Sequence, residues 1–243
     1  MKFLFGFLVM IASGTYGQSP SHSSFTAFLQ KYVTASGAVN YKAMLKDSAV
    51  LNRYLKTLSK NPPNKTRWSR EEQMAYWINA YNGFTLQLIL KYYPIQSIKD
   101  IGSTIQIPFI NTPWDIKFIR IGNETYDLNN IEHGILRKEF DDPRIHMALV
   151  CASKSCPRLL NEAFEPTKLN QQLNDQARAF LTDTFRNNIQ ADRAQLSMIF
   201  KWYGMDFNQK GSSVQSFINR YSVIQLTNKT KITYLDYDWG LNE

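Results

Sequence analysis

Two short stretches of the sequence concentrate side chains able to do chemistry. His133, His146, Cys151 and Cys156 all fall within residues 133–156. A thiol with an imidazole in reach is the minimum for thiol-dependent acyl transfer or hydrolysis. Lys154 and Arg158 lie close to Cys156 in the chain, and nearby cations favour the nucleophilic thiolate. Cys156 is therefore the candidate nucleophile, with His133 or His146 as its base. The same cysteines can instead pair as a Cys151–Cys156 disulfide, natural in an oxidising compartment. Closing so short a loop stabilises a fold by roughly 2 kcal/mol in the chain-entropy picture. That alternative describes a non-catalytic binding module of the cell envelope. A zinc site from His133, His146, Cys151 and Cys156 has suitable ligand types, but the spacing matches no standard motif. It ranks third, and the expected site holds no metal and no cofactor.

The second stretch is the segment 76–82, Tyr-Trp-Ile-Asn-Ala-Tyr-Asn. Asn79, Asn82 and Thr85 recur every third residue and share one helix face. Asparagine is a poor helix former because its amide competes for backbone groups. Either these amides line a cleft and polarise a substrate, or they are core amides tying the helix to a neighbouring loop. Glu132 sits three residues after Asn129, so an Asn129 N-cap would explain it structurally. His133 follows directly, but neighbours on a helix point about 100° apart, so Glu132 is not its natural partner. Arg144, close to His146, completes the binding or orienting candidates.

The elements that must position these groups can be read locally. Ser69 and Glu72 form a capping-box signature before a helix expected over 70–92, which Pro94 ends. Gly122-Asn123 suits a hairpin turn. A helix is expected over 131–140 and a strand over 145–150, followed by a loop over 151–158. On that strand Cys151 shares a buried face with Ile145, Met147 and Leu149, while Cys156 falls in the polar loop. The short link 140–144 would pack helix and strand antiparallel, bringing His133 to the cysteine loop. Further helices are expected over 169–181 and 213–221, and a closing strand over 232–235. The whole reads as one α+β domain over 25–243: a short antiparallel or mixed sheet packed with several helices.

Composition bounds the function classes. The 243 residues are 44% hydrophobic, 14% aromatic and 20% charged, which is globular and favours a dense core or an aromatic cleft. The net charge of +8 is scattered, so a solvated basic surface is expected rather than a nucleic-acid partner. Residues 1–17 read as a cleaved signal peptide: Lys2, an apolar run over 3–12, then small residues at Thr15 and Gly17. The run is too short for the ~20 residues of a membrane span. A flexible leader over 18–24 follows, and the mature chain is expected to be soluble and exported, periplasmic or extracellular. There is no phosphate-binding glycine loop and no dinucleotide fingerprint. The expected partner is a small-molecule or peptide ligand; oligomeric state cannot be read from the sequence.

Several motifs carry a resemblance: YWINAYNGFTLQLI (76–89), PWDIKF (113–118), LNNIEHGILR (128–137), DPRIHMALVCASKSCP (142–157), FKWYGMDF (200–207) and YLDYDW (234–239). On these the chain resembles the domain of unknown function 547 family. A looser resemblance to papain-like and transglutaminase-like folds implies a nucleophile at a helix N-terminus and a histidine beginning a strand, the place of His146. Asn79 and Asn82 stand where the helix would carry that cysteine. Under this resemblance any nucleophile is Cys156, and His146 is the favoured base, whereas connection geometry favours His133.

Overall fold

A computed structural model describes residues 19–102 and 112–243; the expected signal peptide lies outside them. The fold is α+β. Helices α1 (Ser23–Tyr32), α2 (Tyr41–Lys46) and α3 (Ser48–Lys60) precede the long α4 (Arg70–Tyr92). The capping box forms as expected: the Ser69 hydroxyl accepts the Glu72 N–H and the Glu72 carboxylate accepts the Ser69 N–H. Helix α4 is buried almost all round between Met74 and Leu90, so it forms the axis of the larger core. Phe25, Leu51, Leu55 and Leu58 from α1 and α3 pack against it.

Strands β1 (Ile119–Ile121) and β2 (Glu124–Tyr126) form a hairpin pairing Ile121 with Glu124. Its turn needs Gly122, whose φ is +61°. The helical segment that follows is a π-helix over Asn130–Leu136, running into α5 (Arg137–Phe140). Arg137 N–H bonds to the Glu132 carbonyl, five residues back. The cap is Asp127, whose carboxylate accepts the Asn130 N–H at 2.6 Å. Asn129 is not the cap; its side chain donates to Asp115 at 2.7 Å.

The expected strand over 145–150 is instead a 3-10 turn, Pro143–Met147, leading into irregular chain. The reason is local and tertiary together. Pro143 occupies the first helical position and Asp142 accepts the Arg144 N–H at 3.0 Å, which starts a helical turn. All of 145–150 is buried, with Met147 in a second core and Ile145, Ala148 and Leu149 in the first. Side-chain amides, not a sheet ladder, satisfy the backbone there. Asn82 donates to the Ala148 carbonyl at 2.9 Å and accepts the Val150 N–H at 3.0 Å, and Gln176 reaches the Met147 carbonyl.

The second core gathers α6 (Leu169–Thr182), β3 (Asn188–Ile189), β4 (Arg193–Leu196), α7 (Ile199–Trp202), α8 (Gly204–Phe207) and α9 (Val214–Tyr221). Strand β5 (Lys231–Tyr234) closes a three-stranded sheet of order β3-β4-β5, antiparallel then parallel. The leader expected over 18–24 is tied down from Ser19 onward. Ser19 donates to Glu72 at 2.8 Å, and His22 is buried against Tyr54.

Candidate functional site

A cavity of about 630 Å³ opens where the π-helix, the 3-10 turn, α7 and the C-terminal segment meet. Its wall is largely aromatic, with Tyr81, Trp114, Trp202, Tyr203, Tyr237 and Trp239 among its lining residues. The Trp202 and Trp239 rings stack with centroids 5.9 Å apart, and Trp114 meets Trp239 edge-on. Lys99 places its ammonium 3.7 Å from the centre of the Trp239 ring, a cation–π contact. Burial lowers the Lys99 pKa.

His133, His146 and Cys156 all line this cavity. Their convergence comes by a different route from the expected helix–strand pair, through the π-helix and the 3-10 turn. His146 is buried, donates from Nε2 to Asp206 at 2.7 Å and stacks on Tyr203 at 4.0 Å. Arg137 grips both oxygens of the same carboxylate, Nε to Oδ2 at 2.5 Å and Nη2 to Oδ1 at 2.8 Å. Burial alone would push the Asp206 pKa up, but hydrogen bonds from Arg137 and His146, with their charges, pull it well below the carboxylate range. Arg137 also donates to Nδ1 of the exposed His133 at 2.9 Å. One guanidinium therefore connects the two imidazoles through the carboxylate.

Glu132 is buried and serves no cap. The hydroxyls of Tyr81 and Tyr203 stand near it; burial and then the glutamate charge push both phenol pKa values up, keeping them protonated. The π-helix lets consecutive Glu132 and His133 face one cavity, a use of local over-wide turns seen at functional sites.

Cys151 and Cys156 form a disulfide, with Cα atoms 6.2 Å apart. Their exposure is the reverse of the strand-based expectation: Cys156 is buried and Cys151 half-buried. The Cys151 N–H donates to Cys156 Sγ at 2.9 Å. In this state Cys156 carries no free thiol, so the thiol-nucleophile expectation does not hold for the oxidised protein. The zinc set loses both thiolates for the same reason.

Asn79 and Asn82 are not part of the cavity wall. Asn79 pairs with both backbone groups of Phe164, at 2.8 and 2.9 Å, as Asn82 does with the Ala148–Val150 segment. Both amides anchor neighbouring loops. Arg144 also stands elsewhere. It pairs with Asp142 at 2.6 Å, donates to Asn170 and Asn174, and lines a separate polar cavity.

The residues missed in the sequence are Arg137, Tyr203, Asp206 and Tyr237. Arg137 had a local signal, four residues after His133 on a helical segment. Asp206 had none, because it meets His146 across sixty positions.

The expected papain-like plan is also not realised at His146, which begins no strand. No curated protein and no solved structure matches the chain. Residues 65–181 match the family described as protein of unknown function, DUF547, and this span holds α4, Glu132, both cavity imidazoles and the disulfide. Over that span the chain matches the DUF547 family, the family its motifs resemble.

Proposed function

We propose that this protein is an exported binding module whose aromatic cavity takes a small molecule or peptide segment. The occupant would have a flat apolar body that stacks among Trp114, Trp202 and Trp239. Its polar end would hydrogen-bond near Glu132 and His133. The observation that carries this reading is the oxidised cysteine pair in the wall of an aromatic cavity. Ligand sites are commonly concave, mostly apolar and furnished with a few converging polar groups. A disulfide persists in compartments outside the cytosol, which agrees with the signal-like N-terminus. The Asp206–His146 pair then acts as a fixed hydrogen-bonding fixture at the edge of the cavity.

The test is a thiol count on protein exported and purified without reductant, in buffer and in denaturant. No reactive thiol in either condition supports the module. Two thiols, one of them fast-reacting, would instead favour acyl transfer by Cys156 with His133 or His146 as base.

A further inference from the structure

The disulfide has surroundings that a purely structural cross-link does not require. It lines the cavity rather than lying beneath it, and its two sulfurs are unequal. Cys151 is half-buried, whereas Cys156 is 2% exposed. Cys156 Sγ accepts the Cys151 N–H at 2.9 Å, and the Tyr237 hydroxyl lies 3.3 Å from both sulfurs. Ser153 donates to the Tyr237 oxygen at 3.1 Å and lies 3.2 Å from Cys151 Sγ, which leaves the phenol proton for the sulfurs. Burial holds the Tyr237 pKa up, so it remains a donor. The Arg186 guanidinium bonds to the Cys156 carbonyl while paired with Asp183, which fixes the Cys156 backbone. The backbone N–H and the phenol would stabilise negative charge at the buried sulfur, which a neutral disulfide lacks.

We propose that the Cys151–Cys156 disulfide is exchange-active and oxidises thiols that enter the cavity. An incoming thiolate attacks Cys151 Sγ, the more accessible sulfur. A mixed disulfide forms at Cys151, the bond to Cys156 breaks, and Cys156 departs as a thiolate. Exchange is faster when the leaving thiolate is better stabilised; the Cys151 N–H points at Cys156 Sγ, and the Tyr237 hydroxyl can turn to it once Cys151 is taken up in the mixed disulfide. A second thiolate attacks the mixed disulfide at the substrate sulfur and releases Cys151. Two thiols become one disulfide, and their two electrons and two protons pass to the protein, which is left as the dithiol. His133 and His146 are placed to take the proton of an incoming thiol. The substrate class is a small or peptide thiol beside an apolar or aromatic group, matching the cavity wall. The proposal rests on the cavity admitting ligands.

The test compares single-cysteine variants of the otherwise intact chain. Folded Cys156→Ser, which retains Cys151, should form a mixed disulfide with oxidised glutathione at least tenfold faster than Cys151→Ser. In the wild-type protein, dithiothreitol should reduce the disulfide under native conditions. Tyr237→Phe, with an unchanged thermal melt, should slow that reduction about tenfold, and Ser153→Ala should slow it less. Equal reactivity of the two variants would overturn the proposal. So would wild-type reduction that proceeds only at the rate of global unfolding and ignores Tyr237→Phe. Binding of anilinonaphthalene sulfonate in the same samples separates the two readings: retained binding with an inert disulfide defeats the exchange proposal alone, whereas no binding defeats the cavity reading.

Discussion

His146 Nε2 lies 2.7 Å from Asp206 Oδ2, and the Arg137 guanidinium spans both oxygens of that carboxylate. The pair is largely shielded, with the His146 side chain 2% and the Asp206 side chain 15% exposed. Asp206→Asn removes the acceptor charge from two donors at once. A loss of about 2 kcal/mol in stability is expected, in the range of hydrogen bonds to charged groups. Urea unfolding measures it, and an unchanged midpoint would show that the contact contributes nothing.

The same carboxylate sets an acid limb. Its pKa is lower in the folded protein than in the unfolded chain. Its contribution is therefore present above the ordinary carboxylate pKa and is lost as pH falls below about 4. The stability of Asp206→Asn should decline less steeply than wild type in that range. Parallel acid limbs for the two proteins would contradict the assignment.

His22 works in a different window. Burial lowers its pKa from 6.5 to about 4, and its Nε2 is buried without a hydrogen-bond partner. Above 6.5 both folded and unfolded forms are neutral, so nothing is lost. As pH falls from 6.5 to about 4 the unfolded chain takes up the proton first, and stability drops by about 3 kcal/mol across that interval. His22→Asn, which keeps a side-chain amide near Tyr54, should remove this slope. Denaturant unfolding at pH 7 and at pH 4.5 would show it; an equal drop in both proteins would exclude His22.

Asn79→Leu and Asn82→Leu each leave a buried N–H and a buried carbonyl without a partner. Each should destabilise the fold by about 3 kcal/mol. Gln87 lies on the same helix but reaches only the exposed Asn52, so Gln87→Leu should stay within about 0.5 kcal/mol of wild type. Equal midpoints for all three would refute the anchoring role of the amides.

What could be read in the sequence depended on how local each signal was. Helix 70–92 was legible at both ends because its capping box and following proline act within a few residues. The hairpin at Gly122 was legible for the same reason. Segment 145–150 was misread because a short apolar run has no period that separates a strand from another buried conformation. Its backbone partners, Asn82 and Gln176, lie 66 and 29 positions away from it. Glu132 was explained by a cap that Asp127 actually supplies, and the π-helix that turns it into the cavity has no simple sequence signature. Cysteine spacing allowed the disulfide without deciding it, and the Asp206–His146 contact left no local trace.

The cavity itself is open to one direct measurement. Trp114, Trp202 and Trp239 line it, so tryptophan emission of the unreduced protein reports on its occupation during titration with anilinonaphthalene sulfonate. Saturable quenching with one probe per chain is expected. It should weaken about tenfold in Trp202→Ala, equivalent to about 1.4 kcal/mol, because that ring, 45% exposed, forms part of the wall. Quenching that never saturates, or that is identical in Trp202→Ala, would contradict a ligand site at this cavity.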